Sequence, residues 1–280
     1  MNSRSSACSA RTSVTEPVRA APALNINLSW STVSASGMRP PNEDALAEGQ
    51  CDNMVCFVMA DGAGGHARGD VAARTVVETV RRRFLREAEF SPQALHRYID
   101  AARSAVALGK RQPGQHDMSA TVALVLIDQR QRRALWSHLG DTRIYLFRRG
   151  RARQLTKDHS VAQQFVDAGY VAPEQLRGHP QRHLLFAAIG ADHVMPVEAG
   201  GDALAVEHGD AMLICTDGFW EWVLEADMEA CLAASATSAD WLTAMCAIGH
   251  RNAHAAARPR DNFSACAICL SEPAAGQGWP

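Results

Sequence analysis

"VCFVMADGAGGH" (55–66) is the stretch on which the fold turns: an apolar run leads straight into Asp61-Gly62 and then gives way to residues almost without side chains. The run is short, unbroken and rich in Val, Phe and Met, which reads as a buried strand ending at Asp61. Two explanations fit such an ending. Asp-Gly commonly opens a tight turn. Alternatively, Asp61 stands at a strand end with backbone exposed beside it because a charged ligand binds there.

Upstream, "INLSWSTVSA" alternates like a strand. Downstream, "GDVAARTVVETVRRRFLREA" has helical spacing of apolar residues, and so does "SPQALHRYIDAARSAVALGK", with Ser91 as the cap and Pro92 in the first turn. Four strand candidates follow, "SATVALVLID", "RALWSHLGD", "RIYLFRRG" and "RARQLT", spaced as an antiparallel meander. "DHSVAQQFVDAG" and "PEQLRGHPQRHLLFAAIG" read as short helices or an irregular insert. "DAMLIC" is a strand running into "TDGFWEWV", the segment from Asp227 to Ala257 makes one or two helices, and "NFSACAICL" closes the domain as a strand. Strands, helices and strands again, with no repeat or linker, imply one α+β domain over residues 25–272. Residues 1–24 are Ser-, Ala- and Arg-rich without an apolar leader core and read as a disordered tail; 273–280 is a short C-terminal tail.

The acids fall at corresponding places. Asp61 ends one strand, Asp141 ends another, Asp217 follows "MLIC" by one residue, and Asp261 stands at the start of the last strand. In antiparallel sheets such positions share a rim, so four acids distant in sequence can converge. A convergent cluster repels itself unless cations neutralise it or protons are taken up. Oxygen donors without a Cys/His cluster suit Mg²⁺ or Mn²⁺ rather than zinc.

Bulk composition narrows the field. The 280 residues are 47% hydrophobic, enough for a full core. The net charge of −2, from 28 basic and 30 acidic side chains, offers no field for nucleic acid or an anionic membrane. The basic run "VRRRFLRE" reads as a solvated helix face. Eight cysteines sit mostly within apolar runs, as reduced thiols of a cytoplasmic protein do. Cys266 and Cys269 on one strand point to opposite faces and cannot share an ion. No segment reaches the length of a membrane span.

"GMRPPNEDA" (37–45), "VMADGAGGHARGDVAA" (58–73), "DMSATVALVLI" (117–127), "LGDTRIYLF" (139–147), "LTKDHS" (155–160), "ICTDGFWEWV" (214–223) and "RDNFSA" (260–265) occur in that order. Together they resemble the metal-dependent Ser/Thr protein phosphatase family (type 2C) in its bacterial stand-alone form. The resemblance implies a four-layer α-β-β-α sandwich of two central antiparallel sheets with a dinuclear metal site at one end. It implies two Mn²⁺ or Mg²⁺ ions, with Asp61 bridging them, the Gly62 carbonyl on one, and Asp217 and Asp261 as the remaining direct ligands. Asp44 and Glu43 match acids that hold metal-bound waters. Asp141 and Glu221 sit where the family often builds a weaker third site, with Glu221 in place of the usual Asp. Arg39 matches the phosphate-binding arginine, and its guanidinium fork suits two phosphoryl oxygens.

The reaction implied is direct attack of a metal-bridging hydroxide on phosphoserine or phosphothreonine, reversing a cognate Ser/Thr kinase, by a monomer. Some relatives place a histidine after Asp-Gly as general acid. This chain has Ala63, His66 reads as structural, and leaving-group protonation falls to metal-bound water. Lys157 to Gly190 resembles the variable flap beside the active site and would govern substrate choice. The alternatives are an inactive phosphoprotein-binding module on the same fold, and a hydrolase of small phosphoesters or nucleic acid.

Overall fold

In chain order the computed structural model contains β1 (Asn27–Ala35), β2 (Asp44–Cys51), β3 (Met54–Asp61), α1 (Gly69–Arg86), α2 (Pro92–Gly109), β4 (Val122–Asp128), β5 (Arg133–Leu139), β6 (Arg143–Arg148) and β7 (Arg151–Gln154). There follow α3 (Val161–Asp167), a 3-10 turn at Pro173–Gly178, β8 (Glu198–Ala199), β9 (Leu204–Ala205), β10 (Ala211–Cys215), α4 (Asp217–Trp220), α5 (Glu225–Ala234), α6 (Ser238–Ala255) and β11 (Phe263–Ser271). The structure describes residues 25–63, 68–191, 202–272 and, in backbone only, 198–199. The two terminal tails and His66 lie outside the described residues.

Two antiparallel sheets stack face to face. The first runs β2-β3-β4-β5-β8, with β9 also paired to β5, and the second β1-β11-β10-β6-β7. Alternation along the strands divides the core into three layers. Val55, Phe57 and Met59 of β3 meet Ile144, Met212, Ile214 and Ile268 between the sheets. Cys56, Val58 and Ala60 face the other way, onto α1 and α2. Across the second sheet, Tyr145, Leu213 and Ala267 pack on Phe219, Trp220 and Trp241 of the remaining helices. The result is the expected α-β-β-α sandwich. Cys266 lies between the sheets while Cys269 packs on the helix side, so their side chains do diverge.

Local chemistry sets the helix starts. Ser91 Oγ accepts from the Ala94 amide at 3.0 Å, with Pro92 opening α2. Thr237 caps α6 in the same way and Ser160 caps α3. The segment read as one or two helices is two, divided by Ser235 to Thr237.

The meander does not survive as one sheet. β4 and β5 pair in the first, β6 and β7 in the second, and the chain crosses between them at Gly140–Thr142. Gly140 has φ +104°, and a Cβ there would fall 2.5 Å from Thr121 Cγ2. Only glycine fits both constraints. The crossing leaves Asp141 at the rim where β3 ends and β11 begins.

Candidate metal centre

That rim surrounds a cavity of about 560 Å³, and Asp61, Asp141, Asp217, Asp261, Glu43 and Glu221 all line it. Each acid is placed by its own element. Asp61 is the last residue of β3, and its amide donates to Thr121 Oγ1 at 2.9 Å. Asp44 opens β2 directly opposite Asp61 in the antiparallel register. Asp217 begins α4 just beyond β10, and Asp261 precedes β11. The Asp141 main chain is pinned at the rim, since its carbonyl accepts from Trp220 Nε1 at 2.9 Å.

Gly62 is held between neighbours. Its amide donates to the Glu43 carbonyl at 3.1 Å, and it bridges to Ala120 on the other side. A Cβ at Gly62 would lie 2.5 Å from the Gly69 carbonyl carbon at the start of α1. A side chain is therefore excluded, and the backbone of Gly62 faces the cavity bare.

Polar residues not singled out in the sequence hold the acids in place. Thr216 Oγ1 donates to Asp44 Oδ2 at 3.0 Å and accepts from the Ser264 amide at 2.9 Å. Asn262 Oδ1 accepts from the Glu43 amide at 2.9 Å, while its Nδ2 donates to the carbonyls of Ser36 and Arg39. Both residues stand inside quoted motifs, next to Asp217 and Asp261, and that adjacency was the available signal. Behind Asp141, Arg143 forms a buried two-pronged pair with Asp158 and stacks 3.6 Å over Trp220. Arg39, on the cavity lip, forms an ion pair with Asp261. Glu221 Oε1 accepts from Arg182 at 2.7 Å and from Arg258 at 2.8 Å, so its charge is shared with two arginines.

The electrostatics are those of a site short of positive charge. Burial, then the facing Asp44, Asp217, Asp141 and Asp261, push the Asp61 carboxyl well above the ordinary carboxylate range. Burial and the Asp217 charge do the same to Asp141. Asp44 rises to about 7, first through burial, with the nearby Ser264 and Thr216 hydroxyls opposing and the Asp217 charge adding. Asp217 rises to about 6 through burial, Asp261 and Glu221. Burial also raises Glu43, with Arg39 opposing. Like charges directly opposite on paired strands destabilise a sheet, and Asp44 Oδ1 is buried without a hydrogen-bond partner. Divalent cations answer both problems. Among the described residues no three His, Cys, Asp or Glu side chains close into a preformed cage. Oxygen donors ringing an open cavity suit Mg²⁺ or Mn²⁺, which keep several waters.

Stability without cations should depend on pH. Asp44 at about 7 and Asp217 at about 6 lie above the ~3.9 of an unperturbed Asp. Between about pH 4 and 7 the folded, cation-free protein therefore holds protons that the unfolded chain has released, and its stability falls as pH rises. The Tm of EDTA-treated protein should drop from about pH 5 to about pH 7.5, and Asp44→Asn should flatten the drop. A rising Tm, or an unchanged slope in the variant, contradicts this electrostatic picture.

Residues 34–258 match the family model described as Protein phosphatase 2C. The serine/threonine protein phosphatase PstP of Mycobacterium tuberculosis is 33% identical over 200 residues, 70% of this chain and 37% of PstP. This chain thus spans little more than a third of that relative. The serine/threonine phosphatase stp of Listeria monocytogenes is 29% identical over 192 residues, 66% of this chain and 75% of the relative. Among solved structures, the catalytic domain of PstP in complex with two manganese ions superposes with a TM-score of 0.74 at 25% identity, covering 88% of this chain and 100% of that domain. With a family model matching over most of its length, this chain belongs to the protein phosphatase 2C family.

Proposed function

We propose that this chain is a metal-dependent protein serine/threonine phosphatase, with residues 25–272 as its catalytic unit. The observation that carries the reading is Asp44 held opposite Asp61 at a rim shared with Asp217 and Asp261, with one Asp44 oxygen buried and unpartnered. Asp61, Asp217, Asp261 and the Gly62 carbonyl would hold two Mn²⁺ or Mg²⁺ ions, and Asp44 and Glu43 would hold their waters. When bound, the two cations supply Lewis acidity at the phosphoryl oxygens and a nucleophile competent at neutral pH. A third ion beside Asp141 would compete with Arg182 and Arg258 for Glu221. The substrates are phosphoserine and phosphothreonine proteins made by a cognate kinase. The chain acts as a cytoplasmic monomer; the unpaired cysteines among the described residues support the reducing compartment.

This chain's own groups then have defined tasks. Arg39 is 58% exposed in its side chain, free to swing from Asp261 to a phosphoryl group. Asn262 anchors the Arg39 carbonyl and so sets where that guanidinium starts. With Ala63 beside Gly62, no side chain at that position donates a proton to the leaving group. Aryl phosphates, whose leaving groups need least help, should be turned over most readily. Intact Asp61, Gly62, Asp217 and Asp261 leave the inactive binding module without a supporting observation.

Arg39 gives the test. A hydrogen bond to an ionised group is worth roughly 1.5–3 kcal/mol, so Arg39→Ala should lower kcat/KM on a phosphothreonine peptide about tenfold to a hundredfold at saturating Mn²⁺. Arg39→Lys should recover only part of this, since charge returns without the two-pronged geometry. Equal kcat/KM in all three proteins would remove Arg39 from phosphate capture. Absence of any phosphate release by the wild type would remove the phosphatase reading.

A further inference from the structure

Behind the Arg39–Asp261 side of the cavity lies a second pocket of about 470 Å³, lined in part by Met38, Ala257, Pro259 and Phe263 with His254 and Arg258. The two hollows share a thin wall made of two stitched backbone segments. Met38 N donates to the Arg260 carbonyl at 2.9 Å, and Asn262 Nδ2 donates to the Ser36 carbonyl at 2.8 Å and the Arg39 carbonyl at 2.7 Å. A Cβ on Gly37 would fall 2.3 Å from the Asp261 carbonyl oxygen, so the segments touch. Successive residues serve opposite sides of this wall. Arg39 and Asp261 line the acidic cavity, while Met38 and Arg260 line the second pocket. Glu221 and Arg258 make a second link, since they are hydrogen-bonded and line one hollow each.

The chemistry of the second pocket is the reverse of the first. No acidic side chain lines it among the described residues. Met38, an adaptable thioether, is 72% exposed beside the arginine assigned to phosphate. Beneath it, Arg260 is only 4% exposed and lies 3.4 Å from the centroid of the Phe263 ring. Its Nη1 and Nη2 are buried without hydrogen-bond partners, so a positive charge that no carboxylate among the described residues pairs with lies just beneath the floor. An apolar or aromatic side chain gains contact there, whereas a second cation would be desolvated against a first.

We propose that this pocket is a substrate subsite: it takes one bulky apolar side chain of the phosphopeptide, near the phosphorylated residue, and rejects lysine or arginine at that position. The inference rests on the phosphatase reading above. Side chains projecting to either side of a one-residue wall put the two hollows on the order of 10 Å apart, or about three residues of extended peptide.

The test is a panel of phosphothreonine peptides with alanine flanks, in which a single Phe, or a single Lys, occupies each position from three before to three after the phosphothreonine. Each is assayed with Mn²⁺-loaded wild type, with His254→Trp, which fills the pocket, and with Met38→Asp, which places a carboxylate in it. Reading the Phe/Ala ratio of kcat/KM within each enzyme cancels any general loss of activity. In the wild type, Phe at one position should raise kcat/KM about tenfold, the scale of a filled apolar pocket, mainly through KM, and Lys there should lower it. The Phe/Ala ratio should fall to about one in His254→Trp, and Met38→Asp should accept Lys. A flat wild-type profile, or a Phe preference unchanged in both variants, overturns the subsite while phosphatase activity stands. If the wild type turns over no phosphopeptide at all, the phosphatase reading falls and takes the subsite with it.

Discussion

Asp61→Asn and Asp217→Asn should each keep the native fold and lose more than about a hundredfold in kcat, a barrier rise of at least ~2.7 kcal/mol. The reason is charge rather than shape. Each substitution keeps the side-chain volume but removes one of the carboxylates that the cavity concentrates. Loss of an outer partner of a metal ligand commonly costs 10–100-fold, so loss of a direct ligand should exceed that range. Asp61→Asn removes the carboxyl that burial and its neighbours push up, and Asp217→Asn removes a charge that raises Asp44, Asp61 and Asp141. Cation-free Asp61→Asn should therefore melt no lower than cation-free wild type. A variant with native circular dichroism and kcat within about tenfold of wild type, under ~1.4 kcal/mol, is not missing a core ligand.

Removing the cations from the intact protein should have an effect of similar size. EDTA should abolish hydrolysis of p-nitrophenyl phosphate, and Mn²⁺ should restore it. Zinc should not substitute, because the cavity offers carboxylates and a carbonyl where zinc sites draw on thiolates and imidazoles. Full activity after exhaustive chelation, or recovery only with zinc, would contradict the assignment of the rim acids.

Much of this site was legible because its acids sit at strand ends, and strand ends can be found from apolar runs. The run into Asp61 and the run into Thr216-Asp217 both became buried strands. β2 escaped notice because "DALAEGQC" lacks β-branched and aromatic residues; its pairing with β3 and its cover by α1 supply what propensity does not. The split of the meander was hidden for a different reason. Period-2 alternation reveals a strand but not its sheet, and the crossing depends on the backbone of a single residue, Gly140. Thr216 and Asn262 act through hydrogen bonds to partners 172 and 219 residues away, which no local pattern encodes. The arginine pair on Glu221 is likewise assembled from positions 39 residues before it and 37 after.

Calorimetric titration of Mn²⁺ into chelator-stripped protein, with phosphate release from a phosphothreonine peptide followed on the same samples, shows whether the rim acids bind the cations that drive hydrolysis. Two equivalents should bind, with activity appearing as they do, and both should be lost in Asp61→Asn. Phosphate release that precedes Mn²⁺ binding, or two equivalents bound as tightly by Asp61→Asn as by wild type, would contradict that role for the rim acids.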